Sequence, residues 1–173
     1  GEISATAIAQ ANGSAAAFGL WAYGGESAVI ENTGNIEVYA ASEYGNGTAV
    51  GIYAASSGDV VVENSGSITA TALVSYSDNY GYATTASAIG IDASGYSVSI
   101  DNTGDIEASA SNDLYFGASV AIGINAEAYA DITISNSGDI TLSGSSGDGY
   151  ARSGYYPNYI YVTGDFTGTG INA

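Results

Sequence analysis

The sequence predicts an all-β chain: a right-handed parallel β-helix, or β-solenoid, of about five coils of three short strands each, with loop insertions. Three observations predict it. Two independent motifs recur in phase along 173 residues. Residues within each copy alternate apolar and polar with period two, as strands do. The composition combines 25 Gly, many β-branched residues and a single Pro, which suits short strands and tight turns and weakens any helix.

The first motif reads Ile30-Glu31-Asn32-Thr33-Gly34-Asn35-Ile36. It returns as Val62-Glu63-Asn64-Ser65-Gly66-Ser67-Ile68, as Ile100-Asp101-Asn102-Thr103-Gly104-Asp105-Ile106 and as Ile134-Ser135-Asn136-Ser137-Gly138-Asp139-Ile140. The opening Gly1-Glu2-Ile3 is its second half. Successive asparagines are 32, 38 and 34 residues apart. The second motif is Phe18-Gly19-Leu20-Trp21-Ala22, then Val50-Gly51-Ile52-Tyr53-Ala54, Ile89-Gly90-Ile91-Asp92-Ala93, Ile122-Gly123-Ile124-Asn125-Ala126 and Thr169-Gly170-Ile171-Asn172-Ala173. Its glycines are 32, 39, 33 and 47 residues apart, in step with the first motif.

Alternation assigns the faces. Before each asparagine, Val60 and Val62, Val98 and Ile100, and Ile132 and Ile134 face inward. After each motif glycine the inward set is Ile36, Val38, Ala40, then Ile68, Ala70, Ala72, then Ile106, Ala108, Ala110. In the second motif it is Val50, Ile52, Ala54, then Ile89, Ile91, Ala93, then Ile122, Ile124, Ala126. One copy cannot bury such a face alone. Stacked copies bury it continuously and pair each strand with its successor in parallel. Residues 1–173 therefore read as one solenoid segment.

The same alternation turns Asn32, Asn64, Asn102 and Asn136 inward at a bend. Asparagine bonds readily to nearby backbone, and stacked copies can form an amide ladder. These four are assigned a structural turn or ladder role, with Gly34, Gly66, Gly104 and Gly138 completing the turn backbone. Between the copies lie segments of variable length at 8–17, 41–48, 73–86, 111–119 and 143–168. The last holds Arg152, Pro157 and a cluster of Tyr150, Tyr155, Tyr156, Tyr159 and Tyr161. Insertions in solenoids fall on one face, often the binding face. These five tyrosines are therefore the candidate binding surface, for sugar stacking or protein contact. The alternative is that they only pack within the insert.

Composition excludes several functions. One basic residue against 18 acidic ones gives a net charge of −17. That argues against nucleic acid and against direct binding to anionic membranes. There is no Cys, so no disulfide framework or thiolate metal site, and no His, the commonest general base. Glu31, Glu63 and Asp101 fall at one outward repeat position and repel one another. A hard cation such as calcium would relieve that repulsion, and they are its weak candidate ligands. The Gly/Asp-rich calcium nonapeptide is absent. No resident cofactor is expected.

The alternation of Gly-Ile-x-Ala with Asn-Ser/Thr-Gly-x-Ile resembles bacterial autotransporter passenger domains and related large repetitive β-helical surface adhesins. The resemblance covers nearly the whole chain outside 143–168. It implies secretion to the bacterial cell surface, a rod or filament mediating attachment or cell–cell contact, and a glycan or protein receptor. The alternative on the same fold is a polysaccharide-active enzyme of pectin-lyase-like type, with Glu31, Glu63 and Asp101 as its carboxylates. Identical placement in successive copies reads instead as a repeat consensus on a solvated face, so no catalytic residue is assigned. A repeat is already under way at Gly1, so a longer parent chain is expected, or a fibre subunit that associates end to end.

Overall fold

The computed structural model describes residues 1–10, 13–75, 84–113, 117–146, 166–168 and 171–172. Every regular element among them is a strand. In chain order these are β1 (Glu2–Ala9), β2 (Ala15–Gly24), β3 (Ser27–Asn32), β4 (Asn35–Ser42), β5 (Gly47–Ser56), β6 (Asp59–Asn64), β7 (Ile68–Val74) and β8 (Thr85–Gly95). There follow β9 (Ser97–Asn102), β10 (Ile106–Asn112), β11 (Ala118–Ala128), β12 (Ile132–Asn136), β13 (Ile140–Ser146), β14 (Phe166–Gly168) and β15 (Ile171–Asn172). The tyrosine cluster of the last insert, Tyr150 to Tyr161, lies outside the described residues.

The strands form three sheets. The first has the order β1-β4-β7-β10-β13-β14, the second β15-β11-β8-β5-β2, and the third β12-β9-β6-β3. From β1 to β13 each strand pairs in parallel with the one three places further on. The exception to parallel pairing is β14, which lies antiparallel on β13. This topology is that of a chain visiting three sheets in turn and returning one strand higher, which is compatible with a β-solenoid.

The register places like on like. Ile3, Ile36, Ile68, Ile106 and Ile140 occupy one column of the first sheet. Val38, Ala70, Ala108 and Leu142 form the next. In the third sheet Ile30, Val62, Ile100 and Ile134 are in register. The side chains of Ile36, Ile68, Ile106, Val62 and Ile100 are almost wholly buried. Each contributes about 1.5–3 kcal/mol relative to an exposed position. The core is therefore a set of aliphatic columns, with buried alanines such as Ala40, Ala72 and Ala110 in register beside them.

The second sheet corrects one sequence expectation. Ala86 and Ala88 are buried, while Ile89 and Ile122 are only half-buried. Period-two alternation therefore runs Ala86, Ala88, Gly90 and then restarts at Ile91, Ala93. Two consecutive inward residues mean that the strand bends between Gly90 and Ile91. The same break lies at Gly51–Ile52, and the ladder register steps over the glycines. The bend needs glycine for a steric reason. A Cβ on Gly90 would overlap Ile106 Cγ2 of the first sheet and lie 2.5 Å from Gly123 O. The residues before the glycines, Phe18, Val50, Ile89 and Ile122, share one apolar column; Val50 is almost wholly buried, as expected, and the other three are half-buried.

The first four variable segments leave from the junction of the first and second sheets, between β1 and β2, β4 and β5, β7 and β8, and β10 and β11. A buried polar cluster seals this junction. Asn112 Nδ2 donates to Thr84 O at 3.0 Å and to Ala118 O at 3.2 Å, and Ser119 Oγ donates to Ser145 O at 2.5 Å. Two repeats earlier, Ser42 Oγ donates to Gly13 O at 2.7 Å and accepts from Gly45 N at 2.9 Å. Segments of different length can thus leave and return without opening the core.

Replacing Gly90 with Ala is expected to destabilise the fold by about 1–3 kcal/mol, because the new methyl meets a packed side chain and a backbone oxygen. Gly25 has no heavy atom within 4 Å of a placed Cβ, so Gly25→Ala should change stability by less than about 0.5 kcal/mol. Urea unfolding of both variants measures the contrast.

Candidate functional site

The four motif asparagines are the C-terminal residues of β3, β6, β9 and β12, and register brings them into one column. Asn32, Asn64 and Asn102 are buried, and Asn136 is half-buried. Their amides form a continuous ladder. Asn32 Nδ2 donates to Asn64 Oδ1 at 2.7 Å, Asn64 Nδ2 to Asn102 Oδ1 at 2.6 Å, and Asn102 Nδ2 to Asn136 Oδ1 at 2.7 Å. The second proton of each amide goes to a glycine carbonyl two residues on: Gly34, Gly66, Gly104 and Gly138, at 2.6–2.8 Å. Asparagine carries two donors and one acceptor oxygen in one planar group. It can bond to its own copy and close its own turn at once.

The glycines of this motif have a role that sequence reasoning assigned to the turn backbone alone. A Cβ on Gly66 would overlap the carbonyl oxygen of Gly34, and one on Gly104 that of Gly66. The turns stack so closely that only a residue without a side chain fits between successive copies. Among the described residues no buried side-chain polar atom lacks a hydrogen-bond partner. The ladder is thus fully satisfied where an apolar environment would penalise any free group.

Glu31, Glu63 and Asp101 also stack in register, outward on the third sheet, followed by Ser135. All three are exposed. Among the described residues, however, no three acidic side chains are grouped so as to hold a metal ion. A column on one flat face offers each cation only two or so neighbouring carboxylates, short of the six to eight oxygens calcium takes.

The outer face of the second sheet holds features that the sequence reading passed over. Phe18, Trp21 and Tyr53 cluster there. Phe18 and Trp21 have ring centroids 4.6 Å apart at 60°, and Trp21 and Tyr53 4.9 Å apart at 53°. Trp21 remains 60% exposed, so the cluster presents an aromatic surface to solvent. Continuing the Trp21–Tyr53 column are Asp92, Asn125 and Asn172. These form a second ladder: Asn125 Nδ2 donates to Asp92 Oδ1 at 2.9 Å, and Asn172 Nδ2 to Asn125 Oδ1 at 2.8 Å. The signal was present in the variable position of Gly-Ile-x-Ala, where Asp, Asn and Asn follow one another.

The carboxyl of Asp92 in this ladder titrates away from its ordinary range. Burial pushes its carboxyl above the usual carboxylate range, the hydrogen bond from Asn125 pulls it down, and the charge of Glu127 adds to the rise. A carboxyl whose folded pKa is raised favours folding at low pH, and that contribution is lost as pH rises through the folded value. Ionised Asp92 is therefore a cost to the fold at neutral pH.

No protein-family model, no curated protein and no solved structure matches the chain.

Two outcomes follow from the ladders. Asn64→Ala leaves Asn102 Oδ1, Asn32 Nδ2 and Gly66 O each short of a buried partner and should cost about 1–3 kcal/mol for each group left dry. Asn136→Ala, at a half-buried position, should cost less; thermal unfolding of the two variants compares them. Asp92→Asn keeps the shape and the acceptor oxygen while removing the buried charge. It should stabilise the protein by about 0.5–2 kcal/mol at pH 7. The gain over the parent should shrink as pH falls through the raised pKa of Asp92, a dependence that paired urea titrations across pH would follow.

Proposed function

We propose that this chain is a structural and adhesive segment of a repetitive exoprotein at the surface of a bacterium, not an enzyme. It is a right-handed β-solenoid of about five coils. The observation that carries the reading is the unbroken register: apolar columns and an amide ladder run through successive repeats, which makes the stack a stiff support. Right-handedness rests on the parallel crossovers. Each connection leaves a strand, passes through two other sheets and returns parallel to its start, and such crossovers are right-handed in about 98% of cases.

The acidic exterior fits a support that stays dispersed and repels its own copies. The repeat motifs resemble those of autotransporter passengers and large surface adhesins, which supports an extracellular place and a glycan or protein receptor. Calcium, on this reading, only screens the Glu31–Glu63–Asp101 column. The alternative reading, a fibre subunit, would extend the same stacking end to end against that repulsion.

Antibody raised against the purified chain should label intact cells of the producing bacterium, and external protease should remove the label. Deletion of the coding segment should lower attachment of those cells to surfaces or to one another. Labelling seen only after permeabilisation would contradict the surface assignment, and unchanged attachment would contradict the adhesive one.

A further inference from the structure

Where the second sheet turns into the third, the outside of the stack holds a groove of about 480 Å³. Its lining includes Ser56, Ser57, Ser94, Glu127, Tyr96 and Tyr129. These residues come from the last residues of β5, β8 and β11 and from the turns that follow them. The turns differ in length: two residues separate β5 from β6, one separates β8 from β9, and three separate β11 from β12. This unevenness leaves a depression where a regular stack would be flat.

The backbone beneath the groove is nevertheless ordered like a strand ladder. Tyr96 N donates to Gly58 O at 2.8 Å, Ala130 N to Tyr96 O at 2.8 Å, and Tyr129 N to Gly95 O at 3.3 Å. The two tyrosines are thus carried on bonded backbone while their side chains reach into solvent. Tyr96 is 56% exposed and Tyr129 is 95% exposed. A phenol ring held outward in this way is available to a ligand and contributes little to the core.

The chemistry of the groove selects among ligands. Glu127 supplies a carboxylate, and the hydroxyls of Ser56, Ser57 and Ser94 supply acceptor oxygens. Glu127 also lies near enough to Asp92 for the two charges to interact, and Asp131 is exposed two residues beyond Tyr129. The chain's one basic side chain, Arg152, lies outside the described residues, so no described side chain offers an anion a positive partner. An anionic ligand meets only negative charge here. A neutral sugar would use the rings and hydroxyls but gain nothing from the field. A cation gains from ring faces, carboxylate and field together.

We propose that this groove binds a lysine or arginine side chain of a basic segment in a partner protein, with Tyr96 and Tyr129 supplying ring faces and Glu127 the counter-charge. The inference needs only the stacked repeats, and it holds whether or not the segment is extracellular.

The test must separate a built site from the general attraction of a chain carrying −17. The whole chain is titrated with a fluorescent heptapeptide bearing three arginines, and with the same peptide carrying citrulline instead. Salt is held at about 0.1 M, where charges beyond about 10 Å are screened. The arginine peptide should bind and the citrulline peptide should not. Tyr96→Ala combined with Tyr129→Ala leaves the net charge unchanged and should weaken binding about fivefold or more, while the paired Tyr→Phe changes should keep it. Glu127→Gln should weaken binding about tenfold, whereas Glu37→Gln, one charge removed from the first sheet, should change it by less than about twofold. Equal binding by the parent and the double Ala variant would overturn the site and leave only general attraction. Failure of the arginine peptide, together with binding of a neutral oligosaccharide that the double Ala variant loses, would overturn the cation in favour of a sugar.

Discussion

In the parallel strands β1 to β13, each paired side chain lies one strand spacing, about 4.8 Å, from its counterpart in the next repeat. The rest of the structure depends on what tolerates its own copy at that distance. Isoleucine does, and Ile36, Ile68, Ile106 and Ile140 stack as a column. The amide does better, because it donates to the copy on one side and accepts from the copy on the other. Glycine does where backbones touch, as Gly34, Gly66 and Gly104 show. A carboxylate does not. Glu31, Glu63 and Asp101 are in register only on an exposed face, where water and salt screen them. Among the described residues, the one carboxylate in a partly buried column, Asp92, is followed by Asn125, which donates to it.

The same rule explains where variation is possible. Inside, a change in one repeat must fit the repeats above and below. At the junction of the first and second sheets, the cluster around Asn112 and Ser119 lets segments of unequal length depart from a closed core. At the junction of the second and third sheets, turns of unequal length leave the tyrosine-lined groove. On the outer face of the second sheet, one column passes from Trp21 and Tyr53 to Asp92 and Asn125.

The repeat-level fold was legible in the sequence for a physical reason. A column demands the same residue at the same place in each copy, so Asn32, Asn64, Asn102 and Asn136 announce themselves by spacing. The inward aliphatic residues of the first and third sheets were legible because alternation runs through them unbroken. It failed in the second sheet, where the strand bends at Gly51 and Gly90 and two adjacent residues turn inward. Period-two reasoning carried straight through that bend and assigned Ile89 and Ile122 to the core. The true inward residues, Ala86 and Ala88, are small and look unremarkable in an alanine-rich chain. The groove was illegible because Tyr96, Tyr129 and Glu127 sit at places that do not repeat. Their proximity comes from turn lengths that differ, which no periodic reading registers. The tyrosine-rich insert drew attention by composition, but the described aromatic surface is built elsewhere, from Trp21, Tyr53, Tyr96 and Tyr129.

The central claim is that the asparagine column is a closed hydrogen-bonded ladder at the heart of an in-register stack. Hydrogen exchange of side-chain amides, followed by nuclear magnetic resonance, addresses it most directly. The account predicts that the Nδ2 protons of Asn64 and Asn102 exchange as slowly as the best-protected backbone amides of β6 and β9, since both are freed only by opening the stack. The exposed Asn35 should exchange at the rate of an unprotected amide. Exchange of Asn64 and Asn102 as fast as that of Asn35 would contradict the ladder and the register that builds it.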